Sequence, residues 1–281
     1  MTSEFWITGT HARQYDDAPD DRLYVRQYGN GPHILLALHG FGRSGARMAG
    51  LGRALGNEFT TLAPDLPYHG QSEWYSDRYD IAQFTGMLQQ LLDRYRDRRV
   101  YLLGHSLGGR YISACLPELD HPDLQDIVLV APDGAGGRYT NWIDTLPSSL
   151  IRPLARLSER PRTILRLSRW LTKRGILNTY SAEYLKHNLT DKPFRRRLAG
   201  TLRSVLRFPP APEDFERALH SRNIRCTVFV GDSDPLLHLD RLTRMYEPLP
   251  SVDIQRYAGS HWLPERLLAE YYRNSLVAAL P

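Results

Sequence analysis

Short apolar runs recur along this chain, each bounded by turn residues and separated from the next by a stretch of helical period. They are RLYVRQY (22–28), HILLALHG (33–40), FTTLAPDL (59–66), RVYLLGHS (99–106), DIVLVAPDG (126–134), CTVFVGDSD (226–234) and VDIQRYAGSHW (252–262). A strand with one face in water alternates apolar and polar residues, whereas an unbroken run such as ILLAL has to be covered on both sides. The pattern predicts an α/β protein, with a mostly parallel sheet covered by helices on both faces. At 281 residues and 42% hydrophobic, the chain can bury such a core.

The intervening segments fit that layout. IAQFTGMLQQLLDRYRDR carries Ile81, Phe84, Leu88, Leu91, Leu92 and Tyr95 at steps of mostly three and four, with Asp80 placed to cap it. ARMAGLGRALG reads as a glycine-weakened helix, GGRYISACLPEL as a short one stopped by Pro117, and LDRLTRMYEP as another. PERLLAEYYRNSLVAAL reads as an amphipathic helix opened by Pro264. The turn signal GNGP between the first two runs predicts that strands 22–28 and 33–40 are neighbours.

From 134 to 222 the alternation breaks. Arginine-rich helical stretches such as SERPRTILRLSRWLTKRG replace it, closed by FPPAPEDF, and they predict a helical insertion. Its composition stands apart: residues 134–222 hold 18 Arg and Lys against 7 Asp and Glu, while the rest of the chain holds 18 against 24. The expected division is a core of 1–133 and 223–281 with the helical segment inserted between them. The net charge of +5 therefore conceals a strongly basic segment on an acidic core.

Some classes are disfavoured. No run approaches the roughly 20 apolar residues of a bilayer-crossing helix, so no transmembrane span is predicted. MTSEFWITGTHARQYDD lacks the basic and apolar regions of a secretory signal, and a cytoplasmic location is expected. Cys115 and Cys226 read as small buried hydrophobes, and no Cys/His spacing suits zinc. No metal or cofactor is expected. Nor does a recognised nucleic-acid motif accompany the basic segment, which weighs against nucleic acid as a partner.

Gly104-His105-Ser106-Leu107-Gly108 carries the chemistry. It fits G-x-S-x-G between the strand ending in VYLL and the helix beginning near Gly108. A serine on so tight a strand-to-helix turn has crowded neighbours, so glycine is needed two residues to either side. The helix directs its N-terminus at the serine and favours negative charge developing there.

On these residues the chain resembles the α/β-hydrolase fold superfamily, over nearly its whole length from Leu23. The resemblance implies a nucleophile, an acid and a histidine in that order along the chain. Ser106 would be the nucleophile and His261, in AGSHWLP, the base. The acid would be Asp234 in GDSDP, with Asp133 in APDG, after the preceding strand, and the neighbouring Asp232 as alternatives. HGFG at 39–42 matches the family's oxyanion loop, so the backbone N–H groups of Phe41 and Leu107 would stabilise the oxyanion. DLPYHGQS at 65–72 is similar to a family loop in which glycine usually stands at the position of Tyr68. His39 and His69 would be structural there, and His105 a neighbour of the elbow. The 134–222 insertion lies where the family carries its helical cap.

The resemblance implies a cofactor-independent hydrolase cleaving a carboxylic ester or thioester of a small or acyl substrate through an acyl-enzyme. A carbon–carbon bond hydrolase of the aromatic ring-cleavage type is the alternative, suggested by Trp262 after the histidine and opposed by His105 where those enzymes usually carry asparagine. A non-catalytic binding protein of the same fold is a third reading. Trp142, Leu146, Trp170, Tyr180, Tyr184 and Trp262 are available to line a pocket for an acyl or aromatic group. The basic segment would either steer anionic substrates, acyl carriers, coenzyme A esters or a phospholipid surface, or be a solvated arginine face.

Overall fold

The computed structural model describes residues 2–9, 19–75, 81–133, 160–175, 179–205, 211–237 and 239–278. Eight strands form one sheet: β1 (Thr2–Thr8), β2 (Arg22–Tyr28), β3 (His33–Leu38), β4 (Phe59–Pro64), β5 (Val100–His105), β6 (Leu124–Val130), β7 (Arg225–Gly231) and β8 (Val252–Tyr257). Their order is β1-β2-β4-β3-β5-β6-β7-β8. From β4 to β8 every pairing is parallel, while β1/β2 and β2/β4 are antiparallel.

The order corrects one expectation. β2 and β3 are not neighbours, because β4 lies between them. The GNGP segment does not close a hairpin. Its backbone instead bonds to the approach to β4, through Asn30 N–H to Gly56 O (3.1 Å) and His33 N–H to Glu58 O (3.2 Å). A Cβ on Gly31 would lie 2.2 Å from the backbone of Glu58 and Phe59, so its glycine serves a close crossing of chains. β1 is an addition to the sequence reading: only one of its seven residues, Ile7, is buried, so it carries little of the apolar signal that marks the others.

Apolar runs became central strands because both sheet faces are covered. On β3, Ile34, Leu36 and Leu38 join a core with Phe84, Leu88 and Leu91 of α2 (Ile81–Asp93) and Tyr111 and Ile112 of α3 (Leu107–Cys115). Leu35 and Ala37 join the opposite core with Leu51 of α1 (Ala49–Ala54) and, near the end of the chain, Leu268 and Tyr272. Cys115 and Cys226 are buried free thiols in the first of these cores. Asp80, the expected cap of α2, lies outside the described residues.

Between β6 and β7 the described chain forms α4 (Pro161–Lys173), α5 (Thr179–Asn188), α6 (Lys192–Val205) and α7 (Pro212–Ser221). These do not behave alike. Phe215, Ala218 and Leu219 of α7 are buried in the core beside α3, and Arg222 just beyond it donates to Leu116 O and Leu119 O, each at 2.6 Å. α6 and α5 instead reach the loops at the strand ends, as described below. α8 (Leu239–Tyr246) and α9 (Glu265–Ala278) complete the helices. Among the described residues no helix is long and apolar enough to cross a membrane.

Candidate active site

β5 delivers Ser106 to a turn it enters with φ 50° and ψ −116°, a conformation few non-glycine residues adopt. Such a residue costs about 1–3 kcal/mol and persists only where its surroundings hold it. Here Ser106 N–H donates to Val130 O, and Ser106 O accepts from Gly109 N–H and Asp133 N–H, each at 2.9 Å. The glycines follow from crowding. A Cβ on Gly104 would stand 2.6 Å from Gly109 Cα, and one on Gly108 only 2.3 Å from Leu38 O. Leu107 opens α3, where backbone N–H groups of the first turn have no partner within the helix.

The 39–42 loop passes directly over the elbow. A Cβ on Gly40 would lie 3.2 Å from Ser106 Cβ, and Arg43 N–H closes the turn around Phe41 on Gly40 O (3.2 Å). His39 braces this loop: its Nδ1 lies 2.8 Å from Gly40 O and its Nε2 accepts from Leu66 N–H at 3.0 Å. His69 Nδ1 likewise lies 2.8 Å from Pro67 O. Burial pushes both imidazoles down to about 3, so they are neutral struts.

The 65–72 loop is wound around Asp65. Its carboxylate accepts from Arg26 Nη1 and Gly45 N–H at 2.6 Å and from Gln71 N–H at 2.7 Å, fully buried. Tyr68 takes φ 66°, which explains why glycine would be the easier residue there. Its ring is spent on α6: a Cβ on Gly200 would fall 2.3 Å from Tyr68 Cγ.

His261 Nδ1 and Asp234 Oδ2 are 2.7 Å apart, their side chains 19% and 2% exposed. Burial by itself would raise the Asp234 carboxyl. The His261 hydrogen bond and charge, with N–H donors from Leu236 (2.8 Å) and Leu237 (3.2 Å), outweigh it and hold the group below the ordinary aspartate value. The two loops are stitched together, since Ser233 N–H and Oγ both donate to Gly259 O, at 2.9 and 2.8 Å. A Cβ on Gly231 would sit 2.1 Å from Ser260 O, so the loops could not approach with any other residue there.

The other two carboxylates are engaged elsewhere. Asp133 Oδ2 lies 3.9 Å from Arg110 Nη1, and Asp232 Oδ1 pairs with Arg256 at 2.9 Å. The structure thus brings Asp234 to His261.

His105 joins the loop of His261 to the elbow. Its Nε2 is 2.9 Å from His261 O, and burial pushes its imidazole down to about 3, so it is a neutral donor to that carbonyl. Trp262 lies between the His105 ring (centroids 4.5 Å apart, edge-to-face) and the Arg47 guanidinium (4.4 Å from the ring centroid). Arg47 is in turn bonded to Glu265 at 3.0 Å. In sequence, His105 is marked as a neighbour of the elbow and Trp262 as the residue that follows His261, whereas nothing local distinguishes Arg47 among so many arginines.

Of the pocket candidates, Tyr184 stands beside the 39–42 loop and Trp170 is half exposed on α4. Trp142 and Leu146 lie outside the described residues, as does the side chain of Tyr180.

Comparison with known proteins agrees with this architecture. An uncharacterized protein of Mycobacterium tuberculosis is 41% identical over 127 residues, 45% of this chain and 36% of that protein. Lipase LipV of the same organism is 32% identical over 133 residues, 45% of this chain and 49% of that protein. The matched regions thus span less than half the length of these curated relatives. Among solved structures, a thermophilic esterase from Thermogutta terrifontis superposes with a TM-score of 0.68 at 17% identity over 98% of both chains, a likeness of fold. Residues 34–272 match the Alpha/beta hydrolase family, and the chain belongs to that family.

Proposed function

We propose that this hydrolase is a serine enzyme that cleaves a carboxylic ester or thioester of a small or acyl substrate through an acyl-enzyme. The observation that carries the proposal is the His261–Asp234 pair at 2.7 Å, on a loop bonded to the residue preceding Ser106. An Nδ1–H donated to Asp234 leaves Nε2 of His261 as the acceptor, the tautomer a general base requires.

The steps follow from that arrangement. Ser106 Oγ attacks the carbonyl carbon as His261 takes its proton, and Asp234 stabilises the imidazolium. The oxyanion is received by the N–H groups of Phe41 and Leu107. Collapse expels the alcohol or thiol, which takes the proton from His261. Water, activated by the same histidine, then releases the acid. The helical segment within 134–222 acts as a cap over this site, a role supported by the contacts of α5 and α6 with the 39–42 and 65–72 loops. Trp262, which suggested the carbon–carbon alternative, is already engaged between His105 and Arg47 and lends that reading no support.

A fluorophosphonate probe and a screen of aryl esters over acyl length test the proposal. Wild type is expected to be labelled at Ser106 and to turn over at least one ester, and Ser106→Ala to do neither. An unlabelled wild type, under conditions that label a known serine hydrolase, rejects it.

A further inference from the structure

The run Arg195-Arg196-Arg197 on α6 places three guanidinium groups in three environments. Arg195 caps backbone carbonyls of Leu189 and Thr190 at 2.8 and 2.9 Å, and Arg196 is exposed. Arg197 turns inward, half-buried, onto the loop beside the elbow. Its one hydrogen bond among the described residues is a long one, Nη1 to Gly42 O at 3.4 Å, and no carboxylate among them pairs with it. Most of its five donors are therefore uncommitted, in a setting where a charge is expected to find a partner.

What surrounds Arg197 has the form of a receptor. Gly42 has φ +75°, and the space a Cβ would occupy there is 3.0 Å from Tyr184 Oη and 3.9 Å from Arg197 Nη1. A guanidinium and a phenol hydroxyl thus converge over a bare glycine. Phe194 stands beside both Phe41 (centroids 5.9 Å) and Tyr184 (5.7 Å), so the walls are aromatic. His69, fully buried against Phe41, has an Nε2 without a hydrogen-bond partner. The position relative to the chemistry is constrained by the chain. Gly40 abuts Ser106, and Gly42 is two residues on, at most about 7.6 Å away between Cα atoms.

We propose that Arg197 and Tyr184 form an anion subsite that selects substrates bearing a carboxylate a few bonds from the scissile carbonyl. The inference rests on the ester-hydrolase reading and deepens it by naming a substrate class. The planar fork of arginine suits a carboxylate, and the tyrosine hydroxyl supplies a further donor. The carboxylate can belong to the acyl group or to the leaving group, and the two sources are separable by experiment.

The test compares matched pairs of esters. For the acyl side the pair is para-nitrophenyl hydrogen glutarate and para-nitrophenyl pentanoate; for the leaving group it is para-carboxyphenyl butyrate and para-methylphenyl butyrate. Wild type is expected to favour the anionic member of one pair in kcat/KM. Arg197→Gln should lower kcat/KM for that ester by about 10- to 100-fold while leaving its neutral partner within about twofold, which also shows that the variant is folded. Arg197→Lys should recover part of the loss, and Tyr184→Phe should lose less than Arg197→Gln.

Equal effects on neutral and anionic esters, or none on either, overturn the subsite. Binding separates this outcome from failure of the hydrolase reading: calorimetric titration of Ser106→Ala with monomethyl glutarate and with methyl pentanoate needs no turnover. Preferential binding of the glutarate, abolished by adding Arg197→Gln, sustains the subsite even if wild type hydrolyses nothing. Glutarate binding that ignores Arg197, together with no Arg197-dependent preference in the leaving-group pair, removes it.

Discussion

The imidazole of His105, held neutral by burial, donates through Nε2 to the carbonyl of His261 at 2.9 Å, so the residue before Ser106 fixes the backbone of His261. Its ring also meets the ring of His261, with centroids 5.0 Å apart. Under the proposed mechanism His105 is a positioning residue. His105→Leu is expected to lower kcat by about 10- to 100-fold with little change in KM, because a base displaced by a fraction of an ångström loses its alignment with the serine proton. His105→Gln, which keeps a donor, should recover part of the loss. An equal fall in thermal stability and activity, with no recovery by glutamine, would assign the residue to packing alone.

Asp234 and Asp133 make opposite predictions under the same substitution. Asp234→Asn keeps its one oxygen for the N–H groups of Leu236 and Leu237 and turns an NH2 donor toward His261 Nδ1, favouring the wrong tautomer, and is expected to lower kcat by about a thousandfold or more. Asp133→Asn removes a charge that makes no contact with His261 and approaches Arg110 at 3.9 Å, and should leave kcat within about threefold. Steady-state rates on one ester decide between them; the reverse ranking would move the acid to the loop after β6.

Tyr68 and Gly200 form a size-matched pair across two elements. Glycine to alanine in a helix usually stabilises by about 0.5–1 kcal/mol. Here the added methyl would meet the Tyr68 ring, so Gly200→Ala is expected to destabilise. Adding Tyr68→Gly removes both the clash and the left-handed strain at φ 66° and should restore stability. A double-mutant cycle by chemical denaturation is expected to give a coupling of about 1 kcal/mol or more. Additive effects would show that α6 does not rest on Tyr68.

Acid should unfold this protein through three histidines. His39, His69 and His105 are buried with values near 3, against an ordinary value of 6.5, so the unfolded chain takes up their protons first as pH falls. Their effect on stability is nil above pH 6.5 and grows below it, by up to about 1.4 kcal/mol per pH unit for each histidine, until the folded values are passed near 3. Depression of Asp234 adds a loss at the low end, below the ordinary aspartate range. Urea melts at successive pH values should show about three protons taken up on unfolding near pH 5. A slope of one proton or fewer would mean that these imidazoles titrate normally.

Much of the sheet was legible because burial on two faces writes itself as an unbroken apolar run: ILLAL, VYLL, DIVLV and CTVFV are β3, β5, β6 and β7. The neighbour of β2 was not, because GNGP carries the same residues for a crossing over Gly56 and Glu58 as for a hairpin. β1 escaped because its pairing is backbone to backbone, along an edge strand with one buried residue. In the candidate site, Ser106 and His261 stand out in the sequence from their positions in strand-turn segments. For the carboxylate the sequence favours Asp234 in GDSDP over Asp133 in APDG without excluding either, and the stitching of 231–234 to 259–261 is what puts Asp234 within a hydrogen bond of the ring.

Local chemistry dictated the strands, the strained elbow and the glycines that such a turn demands, since these depend on burial and sterics within a few residues. Tertiary structure alone decided which strands adjoin, how Asp234 is brought within a hydrogen bond of His261, and which of three consecutive arginines faces the 39–42 loop. Each is a matter of long-range approach: a helix turns 100° per residue, so Arg195, Arg196 and Arg197 are equivalent along the chain and become different only when α6 is laid over Tyr68 and Gly42.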